Sequence, residues 1–236
     1  MNNVLTLCRK ELKTYFVSAV GYVVLFIFIS IASYLFLQIC RLVREADMRI
    51  LFQNINVTFL FVVPLITMRL FAEEKGSGTI ELLMTSPVRE VELVIGKFLA
   101  AIVLLLVMIA VTLEYPLFLL AYGDPDLGPI ITGYIGLFLI GASFISLGIF
   151  LSTLTRSQIV AAVSTFGVLL AFWLIGIAAE NLSGNVGEVF RYLSVLEHLE
   201  DLQRGVIDAK DIVFFVTLIG FFLYCSIVSL ASSKWR

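Results

Sequence analysis

Six long stretches almost free of charge decide what this chain can fold into. They lie at about 17–40, 50–70, 96–122, 128–153, 157–179 and 211–232, and each supplies the ~20 apolar residues that an α-helix needs to cross a hydrocarbon core. They are built from Leu, Ile, Val, Phe, Gly and Ala without period-2 alternation, which excludes a transmembrane β-barrel. With 60% hydrophobic and 14% charged residues in 236, a water-soluble fold would carry a large exposed apolar patch, whereas lipid covers such a surface. The expectation is an all-α membrane protein of six transmembrane helices forming one domain over 1–236. A net charge of -2 gives no footing for nucleic acid.

Within these spans a few polar residues stand out. Gln53, Asn54 and Asn56 make the first half of the second span the least lipid-like, since buried amides need partners. That half should face other helices or water. Glu114 sits in the third span beside Pro116. A carboxylate at mid-membrane costs about 2.5–3.5 kcal/mol on insertion scales, so it is expected near the outer end of the helix or on a substrate or proton path. His198, the one histidine, has acidic neighbours but no second nitrogen or sulfur ligand, and reads as solvated or locally hydrogen-bonded rather than metal-binding. Cys8, Cys40 and Cys225 are far apart and read as unpaired thiols. Small residues in span four (Gly141, Ala142, Ser146, Gly148) and span five (Ala161, Ala162, Gly167, Ala171) permit close helix packing.

Lys and Arg favour both termini on the cytoplasmic side, although Arg41, Arg44 and Arg49 in one short outer loop pull the other way. Before the first span, Val4, Leu5, Cys8, Leu12 and Tyr15 recur near helical spacing with Arg9, Lys10 and Lys13 between them, as expected of a helix in the inner headgroup layer. Trp235 fits an anchor at the inner end.

The segment between spans two and three is the most informative. Arg69, Glu73, Glu74 and Lys75 end the span, and Gly76 and Gly78 permit a reversal. Ser77 or Thr79 can cap a new helix, Glu81 suits its first turn, and Pro87 stops it. A short surface helix is expected, presenting Ile80, Leu83 and Met84 on one side; the residues alone fit either an ordinary connecting loop or a docking element for a cytoplasmic partner.

The same run resembles the signature of type-2 ABC transporter permeases, E-E-x-x-x-G-T-x-E-x-L-x-x-x-P, with Glu73, Glu74, Gly78, Thr79, Glu81, Leu83 and Pro87 in register. Gly96-Lys97-Phe98, the opening run Lys10-Glu11-Leu12-Lys13-Thr14-Tyr15-Phe16 and the late His198 and Gly205-Val206-Ile207-Asp208 extend the resemblance along the chain. It is closest to the gliding-motility and nitrous-oxide-reductase-maturation branch. The resemblance implies a transmembrane permease subunit of an exporter in a bacterial inner membrane, paired with a second permease chain and two ABC ATPase subunits. The segment 73–87 would be the coupling helix, and short re-entrant helices between spans five and six would gate the outer side. It leaves room for an accessory extracytoplasmic subunit. This chain would need no cofactor, ATP and Mg binding on the partner; the absence of G-x-x-x-x-G-K-[ST] agrees.

Two other functions make different demands on the same residues. A proton-coupled secondary transporter or channel would work without an ATPase and place Glu114 at its centre. An intramembrane enzyme would need paired Asp, a Ser–His arrangement or H-E-x-x-H within the spans, and the sequence has none of these.

Overall fold

The computed structural model of the chain describes residues 2–42, 48–81, 88–123, 125–181 and 194–233. Every regular element among them is helical: α1 (Asn2–Val17), α2 (Ala19–Leu42), α3 (Arg49–Gly76), α4 (Glu90–Thr112), α5 (Glu114–Tyr122), α6 (Leu127–Leu154), α7 (Gln158–Asn181), α8 (Val195–Gln203) and α9 (Ala209–Ser233). Six of the helical runs are long and apolar enough to cross a membrane, with α4 and α5 together forming one of them. Their number is the six expected from the sequence.

The bundle is built around α3 and α6, which pack most extensively on each other. In α6, 78% of the most apolar stretch is buried, against 11% in α9. Small residues make this possible. A Cβ at Gly148 would lie 2.3 Å from Thr67 Oγ1, and one at Gly133 would lie 2.2 Å from the Phe52 ring. Both pairs join α6 to α3, so the two helices approach to a distance only glycine allows. Gly141 and Gly148 therefore serve internal packing as expected. In α7 the pattern divides: Ala161 is buried, but Gly167 has nothing near its missing side chain.

The N-terminal segment is a separate helix, as its sequence suggests, and it packs along the start of α4. Its inward face is Leu7, Cys8, Glu11 and Tyr15, while Leu5 is exposed. The spacing is helical, yet a carboxylate takes a place on the buried side. Tyr15 donates its phenol hydrogen to the Ile66 carbonyl at 2.9 Å, and burial holds that phenol far above its usual pKa.

The third span departs from expectation in two ways. It starts earlier, at Glu90, where Glu92 accepts the Arg89 backbone N–H and caps the helix. It also breaks at Leu113, with Glu114 opening α5.

Candidate functional site

Two groups of predicted residues lie at opposite ends of the bundle. At one end, α3 closes on the turn that leads into the proposed docking segment. Gly78 has φ +73°, a left-handed conformation open to glycine without steric cost. Gly76, expected to share in the reversal, is instead the last helical residue of α3 and abuts the Arg156 carbonyl. The Ser77 hydroxyl donates to the Glu73 carbonyl at 2.9 Å, and the Thr79 hydroxyl to that of Glu74 at 3.4 Å. Both thus finish α3, using carbonyls left orphaned at a helix end. A new helical turn then begins at Thr79. Glu81 is exposed on it, whereas Ile80 is 7% exposed and belongs to the chain's own core. Ile80 therefore anchors the turn from within rather than offering itself outward, a change from the expected docking face. Leu83, Met84 and Pro87 lie outside the described residues.

Glu73 and Glu74, adjacent in the motif, play different parts. Glu73 pairs with Arg69 one turn earlier, Nε to Oε2 at 2.8 Å. Glu74 turns inward. Lys97, only 1% exposed, places its ammonium 2.9 Å from Glu74 Oε1 and 2.9 Å from Glu11 Oε1. Lys10 adds a second cation at 3.2 Å from Glu74. Burial opposes the charge on Lys10, but Glu11 and Glu74 outweigh it and raise the pKa. Two carboxylates and two ammoniums thus balance in a cleft of about 410 Å³, with Lys97 also 5.1 Å from the centre of the Phe71 ring. Gly96 makes this possible: a Cβ there would meet Leu7 Cβ at 2.9 Å, so α1 crosses α4 closely and delivers Glu11 to Lys97.

The end of α6 completes the mounting. Ser152 Oγ accepts the backbone N–H groups of Phe71 (3.1 Å) and Ala72 (3.0 Å), inserting into the hydrogen-bond ladder of α3. Lys75 donates to the Thr153 carbonyl. The end of α3, from which the turn at 77–81 departs, is therefore held by α1, α4 and α6 together.

Sequence reading missed Lys97 and Glu11 as members of this group. The available signal was a lysine seven positions into an apolar helix, which requires an anion, and an acid on the apolar side of α1.

At the opposite end, Gln53, Asn54 and Asn56 come together on the wall of a cleft of about 630 Å³ between α3, α7 and α8. Trp173, Ser194 and Gln203 share that wall. Glu114 does not reach it. It is exposed on the other side of the α4–α5 break, where Tyr115 and Ser33 share a hydrogen bond of 2.9 Å. His198 is neither solvated nor alone: it is 6% exposed, bonds Asp211 at 2.7 Å through Nδ1 and stacks on Phe214. This pair ties α8 to α9, while Leu199 and Leu202 pack α8 over Gly136 of α6. Val195, Leu199 and Leu202 of α8 are thus buried in the bundle.

No curated protein matches the chain. A family model described as ABC-2 family transporter protein matches residues 6–204, a span from α1 to the end of α8 that includes the charged cluster, the turn at 77–81 and the cleft between α3, α7 and α8. The chain belongs to the ABC-2 family of transporter proteins, as a multi-pass transmembrane permease subunit that is not itself catalytic.

Proposed function

We propose that this chain is one of two transmembrane halves of an exporter, driven by a pair of separate ABC ATPase subunits that bear on the segment 73–87 from the cytoplasmic side. ATP and Mg bind to those partners; this chain supplies the path and the moving helices. Both of its termini face the cytoplasm of a bacterial inner membrane. On its motif spacing it stands nearest the gliding-motility and nitrous-oxide-reductase-maturation branch.

The observation that carries this reading is the mounting of the turn at 77–81. The turn is exposed, yet its base is joined to three helices through Glu74–Lys97–Glu11, Ser152 and Lys75. A load applied to Glu81 or its neighbours would pass directly into α1, α3, α4 and α6. A loose surface loop would dissipate it. The outer cleft between α3, α7 and α8 lies at the far end of the same α3, where a tilt of that helix would open or close an exit.

The test is to purify the chain from its native membrane with the P-loop ATPase that accompanies it. Gly78→Val forces a β-branched residue into a left-handed conformation, and Glu81→Lys reverses the exposed charge. Each is expected to reduce ATPase association or coupled ATP turnover by about ten-fold, a loss worth about 1.4 kcal/mol, with the permease still folded. If both variants keep full association and turnover, the docking role is wrong.

A further inference from the structure

The N-terminal helix has one face that the rest of the fold does not use. Leu7, Cys8, Glu11 and Tyr15 of α1 are buried against the bundle. On the opposite side Leu5, Arg9, Leu12, Lys13 and Phe16 follow one another at the spacing of a single helical stripe. Leu5, Arg9 and Lys13 are exposed, and Leu12 and Phe16 are half-buried. An open groove of about 1090 Å³ runs beside the stripe, lined among the described residues by α1 and Ser18. Nearby, Lys10, Arg69 and Lys97 each have a carboxylate partner. Arg9 and Lys13 have none among the described residues. Two uncompensated cations one turn apart are thus set between apolar side chains.

The place of the stripe selects its partner. At Ser18 the chain turns from α1 into α2, and the elbow is tight: a Cβ at Gly21 would lie 2.2 Å from the Tyr15 carbonyl oxygen. The helix α1 is therefore fixed at the mouth of the first span, whose exposed side chains include Tyr22, Val23 and Phe26. A helix at a membrane surface sets its apolar residues at the acyl boundary and its cations among the headgroups. Since the chain supplies no anion to Arg9 or Lys13, the headgroup must supply it. A zwitterionic headgroup brings its own ammonium, which competes for the phosphate. An acidic protein surface would answer the cations but not their continuity with the apolar face of α2.

We propose that this stripe holds an anionic phospholipid, its phosphodiester between Arg9 and Lys13 and an acyl chain along Leu12 and Phe16. The lipid seats α1 from outside, while Glu11 holds it from within through Lys97 and Glu74. It thereby steadies the end of α3 from which the turn at 77–81 departs. That this steadying supports coupled ATP turnover rests on the transporter reading above; that the lipid binds does not.

The purified full chain in detergent is titrated with phosphatidylglycerol and, separately, with phosphatidylcholine of the same acyl chains, and retained lipid is counted by native mass spectrometry. Phosphatidylglycerol is expected to bind more tightly and to be lost as salt rises, because both cations are exposed. A cation beside an anionic headgroup is worth about five-fold in affinity. Arg9→Gln or Lys13→Gln should therefore weaken phosphatidylglycerol binding about five-fold, and the double variant about thirty-fold, with phosphatidylcholine unchanged. Arg156→Gln removes an exposed cation at the same end of the bundle and should alter neither titration. If a stripe variant does not fold, the lipid preference and salt dependence of the parent still decide. The proposal is overturned by equal affinity of the parent for the two lipids, by phosphatidylglycerol binding that salt does not weaken, or by a folded double variant that binds like the parent. A loss with Arg156→Gln as large as with Arg9→Gln also overturns it, since general charge would then explain the binding. ATPase copurification is scored in parallel. Its loss in the double variant alone, with phosphatidylglycerol binding unchanged, would assign the stripe to the ATPase and overturn the proposal. Its absence in the parent would count against the transporter reading while leaving the lipid titration intact.

Discussion

At the scale of single residues, Lys97 carries the most consequence. A buried ion pair adds little net stability over an apolar replacement, but removing one partner strands the other. Lys97→Met leaves Glu11 and Glu74 facing each other with Lys10 as their remaining cation. It is expected to destabilise the protein by about 3–5 kcal/mol, measured by thermal unfolding in nanodiscs, and adding Glu11→Gln with Glu74→Gln should recover much of the loss. If the single change costs nothing, the cluster is not holding the turn. Gly148 gives a second test at this scale. Even Gly148→Ala would drive a methyl to 2.3 Å from Thr67 Oγ1, so a loss of about 1–3 kcal/mol is expected, partly relieved by Thr67→Ala. Sequence pattern made the small residues and the polar stretch at Asn56 legible, because a lone amide or glycine in an apolar run is conspicuous. It did not make the partners legible. Glu11 meets Lys97 across 86 residues, and nothing local to either names the other.

At the scale of elements, the clearest lesson comes from short helices. The turn after Gly78 was expected to offer Ile80 outward, and a helical wheel cannot say otherwise, since the same apolar face suits a partner's groove or the chain's own core. Contact with the core decides it. The helix α8 shows the converse. Its leucines signal amphipathicity, but its place against α6 depends on Gly136, and its hold on α9 depends on His198 and Asp211, distant signals that periodicity does not carry. Asp211→Asn keeps the shape while weakening that hold. Hydrogen–deuterium exchange is expected to rise by about ten-fold in 195–203 and to stay unchanged in α3, which takes no part in the His198–Asp211 pair. Equal exchange in α8 before and after the change would show that apolar packing alone retains it.

At the scale of the whole molecule, hydropathy identified the spans but not their places. The most apolar stretch of α3 has a mean hydropathy of 1.9 and that of α9 2.4, yet 72% of the first is buried against 11% of the second. Lipid is as apolar as leucine, so core and perimeter helices differ less in hydrophobicity than in the small and hydroxyl side chains that let backbones meet. Glycines along α6 and the Ser152 and Thr67 contacts mark the centre; the exposed faces of α2, α7 and α9 are left for lipid or for the second permease chain proposed above. From this arrangement comes the central claim, that ATPase motion enters through the turn at 77–81 and is carried by α3 toward the outer cleft.

The most direct test places a photo-crosslinking amino acid at position 81 and, as control, at position 131, an exposed site on α6 at the opposite end of the bundle. Illumination of native membranes is followed by identification of the linked chain. The account predicts a P-loop ATPase linked at position 81 and none at position 131. An ATPase linked at 131 instead, or a position 81 that meets only lipid while the transporter turns over ATP, would contradict it.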